Sequence, residues 1–301
     1  MRATPILATA LLAALLVGCG NEPAADKAAP AAPGNKQAAA PAPAAQPRSL
    51  DDIVAGSQRP VDEKARDRFR HPVETLDFFG LKPDMNVVEI WPGQGWYAAI
   101  IAPYVAAKGH YTAAIYPEGD GTGYQPKLNK ALKDRIAANP ELYGDVTYTT
   151  LGKDSYDIAP EASADMVLTF RNVHNWMAGG YADKVFAAMF KALKPGGVLG
   201  VVEHRGDPEL PQDPTAQNGY VNQDYVIKLA EDAGFQVAGH TEVNANPLDT
   251  KDHPRGVWTL PPTYKLGDQD HEKYAQIGES DRMTLKFVKP ATTGLASAES
   301  E

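Results

Sequence analysis

Two histidines and one glutamate stand at the ends of apolar runs, where α/β proteins often place side chains that do chemistry. His174 follows the run Ala164–Phe170, while Glu203 and His204 end the run that starts at Val198. Ligands of doubly wound sheets bind outside the carboxyl ends of the strands. A histidine can remove a proton from a substrate at neutral pH. If the two runs form neighbouring strands, His174 and His204 are candidate catalytic bases, with Glu203 orienting an imidazole.

Other roles are open to the same side chains. A histidine at a strand end is often a structural residue with satisfied hydrogen bonds. His71, His174 and His204 are alternatively candidate metal ligands, since imidazole is a common ligand in proteins. Their wide spacing in the sequence neither favours nor excludes a metal, and our assignment includes none.

A glycine-rich turn joins one apolar run to a helical pattern. The stretch Val88-Glu-Ile-Trp-Pro-Gly-Gln-Gly95 leaves a buried-strand pattern and precedes apolar residues at helical spacing from Tyr97 onward. Glycines let a ligand approach the backbone closely, and a helix N-terminus offers free N–H groups to an anion. This arrangement is typical of the first unit of a nucleotide-binding sheet. Gly93, Gly95 and Ala98 also satisfy the dinucleotide fingerprint, with Glu118 downstream, so a nicotinamide oxidoreductase is an alternative.

The elements that must position these residues alternate between strand and helix patterns. The predicted strands cover residues 86–91, 109–116, 145–151, 164–170, 198–203, 235–243 and 282–289. No helix pattern of normal length separates the last two, so we expect them to pair antiparallel. The predicted fold is an α/β Rossmann-like sheet of seven strands, mostly parallel with the last strand antiparallel, and with helices on both faces.

Composition excludes several classes of function. The 301 residues include 38 Asp and Glu against 29 Lys and Arg, which gives a net charge of −9. Without a long basic run, a nucleic acid is not an expected partner. Cys19 is the only cysteine. If it carries lipid, the folded part has no thiol for a disulfide, a metal site or nucleophilic catalysis.

The N-terminal residues are typical of an exported protein. Arg2 precedes an apolar segment, residues 6–17, which at 12 residues is shorter than the ~20 needed to span a bilayer. Leu16-Val-Gly-Cys19 resembles the bacterial lipoprotein box, which implies cleavage before Cys19 and its lipidation. An ordinary secretory signal is the alternative. Gly20 favours the outer membrane, so we expect a periplasmic, membrane-anchored lipoprotein.

These patterns divide the chain into four parts. Residues 1–18 form the predicted signal peptide, and residues 19–49 an Ala- and Pro-rich tether without order. The folded domain is predicted at residues 50–290, and residues 291–301 form a disordered tail.

The element order resembles the class I S-adenosylmethionine (SAM) dependent methyltransferases. The strongest matches are Val88-Glu-Ile-Trp-Pro-Gly-Gln-Gly95, Ala164-Asp-Met-Val-Leu168 and Leu193-Lys-Pro-Gly-Gly-Val-Leu199. More narrowly, Arg70-His-Pro72, Pro92-Gly-Gln-Gly-Trp-Tyr97 and the segment 281–290 resemble a group of exported predicted methyltransferases. Trp91 departs from the family pattern, because a glycine usually stands there.

The resemblance implies SAM as cofactor and assigns residues to it. Glu89 is expected to orient the methionyl ammonium, and Gly93 and Gly95 to let the backbone meet the methionyl carboxylate. Tyr116 stands where an acidic residue usually binds the ribose, and Glu118 is a possible substitute. Asp154 matches the position that reads adenine.

Two functions follow from the sequence. The first is SAM-dependent methyl transfer to an unknown acceptor, with His174 or His204 as the base. The alternative is a former methyltransferase that now binds a small molecule or an envelope partner, because SAM is made in the cytoplasm.

Overall fold

A computed structural model describes residues 48–291 of the chain. The predicted signal peptide with Cys19, almost all of the tether and the tail after residue 291 lie outside the described residues. Within residues 48–291, no helix has the length and apolar character required to cross a membrane.

Seven strands form one mixed sheet. They are β1 (Asn86–Ile90), β2 (His110–Ile115), β3 (Val146–Thr150), β4 (Ala164–Phe170), β5 (Leu193–His204), β6 (Gln236–Thr241) and β7 (Arg282–Val288). Their spatial order is β3-β2-β1-β4-β5-β7-β6, and β7 runs antiparallel to both of its neighbours. The predicted fold class and the antiparallel pairing of the last two strands are confirmed.

Eleven α-helices and one 3-10 helix accompany the sheet in the described part of the chain. They are α1 (Leu50–Val54), α2 (Val61–Lys64), α3 (Asp67–Arg70), α4 (Pro72–Phe79), α5 (Ala98–Val105), α6 (Tyr124–Ala137), α7 (Pro140–Tyr143), α8 (Val173–Gly179), α9 (Ala182–Ala192), α10 (Gln223–Asp232), α11 (His271–Ile277) and the 3-10 helix Gly256–Thr259.

Local sequence explains where several of these helices begin and end. Pro72 begins α4 and Gly80 ends it with φ +84°, because proline suits a first helical position and glycine adopts the left-handed conformation readily. The charged segment 62–70 has a helical pattern in the sequence and contributes to two short helices, α2 and α3. The Arg66 N–H donates to the Glu63 carbonyl, a tighter bond that interrupts the α-helical ladder.

The apolar core lies on both faces of the sheet. On one face α8, α9 and α10 bury Trp176, Phe186 and Val226 against β4, β5 and β7. On the other face α4, α5 and α6 bury Phe79, Ile100 and Leu132. Covering both faces leaves the carboxyl ends of the parallel strands as the open edge where a ligand can bind.

Candidate active site

A cavity of about 460 Å³ lies at the carboxyl ends of β1 and β4. Its volume falls within the range of small-molecule pockets, ~300–1,000 Å³. Its wall combines the turn after β1, the ends of β2, β4 and β5, the N-terminal helices α2 and α3, and residues 257–263 between β6 and β7. The strand ends thus bring together segments that are far apart in the sequence.

His174 and Glu203 form a buried hydrogen-bonded pair beside this cavity. His174 Nδ1 lies 3.0 Å from Glu203 Oε1, and the same oxygen accepts the His204 N–H at 2.8 Å. The other carboxylate oxygen accepts the Val173 N–H at 2.6 Å. Because an ionised carboxylate only accepts, the proton of a neutral His174 imidazole lies on Nδ1, which leaves the lone pair on Nε2. His174 lines the cavity and is therefore poised to accept a proton there.

His204 lies next to His174 but in a different environment. The two ring centroids are 5.3 Å apart, and His204 Nδ1 contacts the Ser280 hydroxyl at 2.5 Å. Burial, together with the neighbouring His174 and Arg171, lowers the pKa of His204 well below its ordinary value. A base whose conjugate acid is so strong removes protons poorly. Of the two histidines, His174 is better suited to be the base.

His174, Glu203 and His204 also have the chemistry of a metal site. Their ligand atoms lie within 4.8 Å of one another, and all three side chains are buried. However, both oxygens of Glu203 already accept hydrogen bonds, and Arg171 stands close enough to lower the pKa of His204. Bound donors and a nearby cation favour a proton-transfer network over a divalent cation. His71 lies apart from this group, beside a second cavity.

Glu89 is the penultimate residue of β1 and lines the main cavity. It is 2% exposed, and it accepts the Tyr111 hydroxyl at 2.7 Å. Burial raises the pKa of Glu89 to about 8, although the hydrogen bond from Tyr111 acts in the opposite direction. The carboxyl is therefore protonated at neutral pH, until a cationic partner favours its ionised form.

An aromatic wall, consisting of Trp91 and Tyr116, bounds the cavity near β2 and β3. The two rings stack with centroids 4.4 Å apart, and the Trp91 indole N–H donates to the Leu151 carbonyl at 3.0 Å. Trp176 packs edge-on against Trp91 at 5.9 Å from behind. The Trp91 indole thus takes the hydrogen-bonding position beside the end of β3.

The two glycines of the turn have different roles. Gly93, with φ +62°, lines the cavity, and a Cβ added there meets nothing within 4 Å. At Gly95, with φ +91°, a Cβ would lie 2.7 Å from Leu132 Cδ1 of α6. Gly95 therefore makes room for helix packing, whereas only Gly93 faces the ligand space. A role for Gly93 and Gly95 in binding a cofactor stays a prediction, and the structure places only Gly93 at the cavity.

The remaining predicted cofactor residues are distributed unevenly. Tyr116 lines the cavity with Glu89 and Gly93. Glu118 instead forms an ion pair with Lys133, and Asp154 is exposed in the turn after β3; the structure brings neither to the cavity. For SAM, the residues present fit the methionyl half, with Glu89 and the Gly93 backbone. The adenosyl half would lie against the aromatic wall, rather than against a carboxylate, with Tyr124 and Leu128 beyond that wall.

A cluster of arginines lies on the opposite side of the cavity, which Arg66, Arg70 and Arg171 line. The arginine cluster consists of Arg66, Arg70, Arg171 and Arg282. Three of its members contact one carboxylate, that of Glu279, at 2.6, 3.1 and 3.2 Å. Burial alone would raise the pKa of Glu279, but the four guanidinium groups outweigh burial and hold this pKa far below its usual range. This part of the cavity is therefore electropositive.

The arginine cluster was not predicted from the sequence. Arg66 immediately precedes α3 and Arg70 ends it, before the sheet begins, whereas Glu279 precedes β7. The cluster therefore depends on contacts across more than 200 residues. A local signal did exist for Arg171, because it is the first residue after β4 at the ligand-binding edge. Its φ of +61° is unusual for a residue with a side chain.

The structure is similar to solved members of the methyltransferase fold. A SAM-dependent methyltransferase from Aquifex aeolicus matches with a TM-score of 0.52 and 16% identity, over 80% of this chain and 99% of that one. The [4+2]-cyclase SpnF matches with a TM-score of 0.52 and 17% identity, over 80% of this chain and 92% of that one. An arsenic(III) SAM methyltransferase from Chlamydomonas reinhardtii matches with a TM-score of 0.50 and 16% identity, over 83% of this chain and 76% of that one.

These likenesses establish the fold of the chain and not its activity. No protein-family model and no curated protein matches the sequence. The domain therefore has the Rossmann-like α/β fold of class I methyltransferases, with strand order and antiparallel β7 as described. The antiparallel β7 distinguishes this sheet from the dinucleotide-binding sheet, in which the corresponding strands lie side by side in their sequence order.

Proposed function

We propose that the domain catalyses SAM-dependent methyl transfer to a small-molecule acceptor. The observation that carries this proposal is that His174, held by Glu203, lines the same cavity as Glu89 and Gly93. When bound, SAM supplies an electrophilic methyl group. The protein must hold that cofactor and remove a proton from the acceptor, and the cavity has residues suited to each task.

The proposed roles follow from the hydrogen bonds. Glu203 fixes the tautomer and orientation of His174, whose Nε2 accepts the acceptor's proton. Glu89 pairs with the methionyl ammonium, and the Gly93 backbone approaches the methionyl carboxylate. His204 stays neutral and positions Ser280 through a hydrogen bond. Tyr97 and Phe170, stacked with centroids 3.5 Å apart, contribute to an apolar wall that limits water.

Calorimetric titration of the full-length protein with SAM, S-adenosylhomocysteine and NAD tests this function. We expect S-adenosylhomocysteine to bind and NAD not to bind. When an acceptor is supplied together with SAM, we expect S-adenosylhomocysteine to form. Binding of NAD alone would favour an oxidoreductase and contradict the proposal.

A second candidate function is a binding module without an adenosyl cofactor. Trp91 is the observation in its favour, because its indole is buried at the ends of β1, β2 and β3 and hydrogen bonds to Leu151. Glu118 and Asp154 also lie away from the cavity. Under this function neither SAM nor S-adenosylhomocysteine binds, while the cavity still takes a small molecule.

The cellular location is a further proposal. We infer from Leu16-Val-Gly-Cys19 that the mature protein is anchored in the outer membrane through lipid on Cys19 and faces the periplasm, as in the exported group that the sequence resembles. Cys19→Ser should abolish incorporation of a fatty-acid analogue during metabolic labelling. Equal labelling of the variant and the wild type would contradict the lipid anchor.

A further inference from the structure

The arginine cluster lacks the negative charge that its burial requires. Four guanidinium groups surround the single carboxylate of Glu279, and Arg70 and Arg282 are only 2% and 3% exposed. Burying like charges without matching counter-charges is unfavourable, since each group loses its hydration. Burial and then the nearby Arg171 lower the pKa of Arg70 to about 9, which has the same physical cause.

Other acidic groups at the cavity do not supply this charge. Glu63 already pairs with Arg135 at 2.5 Å, and Glu203 holds His174. Asp62 is exposed at the edge of the cavity. Burial keeps Glu89 protonated at neutral pH. The cluster therefore keeps an excess of positive charge toward the ligand space.

Hydrogen-bond donors in the cluster are also left without partners. One terminal nitrogen, Nη2, of both Arg66 and Arg70 is buried and has no hydrogen-bond partner within the described residues. Buried polar groups are almost always satisfied in native proteins, so an unmet donor beside a cavity indicates a missing acceptor. Arg66, Arg70 and Arg171 all line this cavity, as do His174 and Ser280.

We propose that the cavity binds an oxyanion, a carboxylate or phosphate group carried by the methyl acceptor, at Arg66, Arg70 and Arg171. The guanidinium fork matches both groups and forms strong charge-assisted hydrogen bonds with them. The acceptor's nucleophilic group then faces Nε2 of His174 across the same cavity. The identification of this ligand as the methyl acceptor rests on the proposed function, whereas the anion site itself does not.

The test is calorimetric titration of the full-length protein with inorganic phosphate and, separately, with succinate. Arg171→Gln is the main variant, because Arg171 is partly exposed to the cavity and its removal leaves the Glu279 ion pairs in place. Arg66→Gln is the second variant, since its side chain is 26% exposed and tolerates change better than Arg70. Arg68→Gln is the matched control, on the same helix as Arg70 but outside this cavity.

We expect each cavity variant to lower the affinity for the preferred anion about tenfold or more, which is the contribution of one charge-assisted contact. Arg68→Gln should leave the affinity unchanged, and S-adenosylhomocysteine should bind the cavity variants as it binds the wild type. The stronger of the two probes identifies the oxyanion as phosphate or carboxylate.

Two results would overturn the anion site. One is a wild type that binds neither probe, or variants that bind the probes unchanged. The other is loss of S-adenosylhomocysteine affinity in the cavity variants with no loss of anion affinity, which would assign the arginines to the cofactor's own carboxylate. Anion binding without any binding of S-adenosylhomocysteine would leave this site standing and contradict methyl transfer instead.

Discussion

The two sides of the cavity are built on the same backbone device and carry opposite chemistry. Trp91 directly follows β1 and Arg171 directly follows β4, and both have left-handed backbones, with φ +47° and +61°. Each backbone N–H donates to the neighbouring strand, at 2.8 Å to Ala114 and at 2.7 Å to Val202. One device thus presents an indole to the aromatic wall and the other a guanidinium to the arginine cluster.

The two sides of the cavity differ in the part of the reaction that each would serve. On the aromatic side, stacking and burial dominate, and the expected polar residues Glu118 and Asp154 stay outside. On the charged side, His174, Glu203 and the arginine cluster concentrate proton transfer and charge. Substitutions on the charged side should therefore affect turnover and anion affinity, and those on the aromatic side cofactor affinity and stability.

The largest effect is expected at the base on the charged side. His174→Gln should lower turnover ~10²–10⁴-fold, the usual contribution of a positioned base, with little change in S-adenosylhomocysteine affinity. His204→Gln is the comparison variant and should cost less, because the depressed pKa of His204 makes it a poor base. The assay is formation of S-adenosylhomocysteine in the presence of an acceptor. Equal losses in the two variants would contradict the assignment of His174 alone.

The next effect concerns the frame of the glycine turn. Gly95→Val should destabilise the domain by about 2–4 kcal/mol, through strain at φ +91° and overlap with Leu132. Gly93→Ala should cost only about 1–2 kcal/mol, because open space surrounds it. Urea unfolding measures both values. A Gly95→Val protein as stable as the wild type but unable to bind S-adenosylhomocysteine would return Gly95 to the ligand site.

A smaller effect distinguishes the two candidate functions at the aromatic wall. If an adenosyl group stacks on Trp91, Trp91→Gly should weaken the binding of S-adenosylhomocysteine by ~1–3 kcal/mol, the range for stacking of a base on an aromatic ring. Calorimetry on folded protein measures this change, and Trp258→Gly, on the other side of the cavity, serves as the control. Binding that appears only in Trp91→Gly would show that the indole closes the adenosyl half, as the binding-module function requires.

The last effect is a pH dependence of cofactor binding. In the free protein Glu89 has a pKa of about 8, so below that pH it must lose a proton to pair with an ammonium group. Affinity for S-adenosylhomocysteine should therefore rise about tenfold per unit between pH 6 and pH 8 and level off above that range. Glu89→Gln should remove this dependence. Equal wild-type affinities at pH 6 and pH 8 would exclude the contact.

Local patterns in the sequence predicted the fold well but only part of the site. Apolar runs and turn residues, such as Pro72 and Gly80 around α4, act over a few residues and therefore leave a clear signal. The pairing of Glu203 with His174 was within reach, since Glu203 lies at the end of β5 and His174 shortly after the adjacent β4. The arginine cluster was not, because Arg70 and Glu279 meet only after the whole sheet has formed. Gly95 shows a different limit, as a turn glycine looks the same whether it faces a ligand or a helix.

The placement of the indole rings makes the site visible to a simple optical measurement. The chain contains four tryptophans. Three of them, Trp91, Trp96 and Trp258, line the cavity, and Trp176 packs against Trp91 at 5.9 Å. Intrinsic tryptophan fluorescence therefore originates at or next to this cavity, without any label. A ligand that displaces water from these rings changes the emission directly, so the same signal can report occupancy by cofactor or anion in a rapid screen of unknown acceptors.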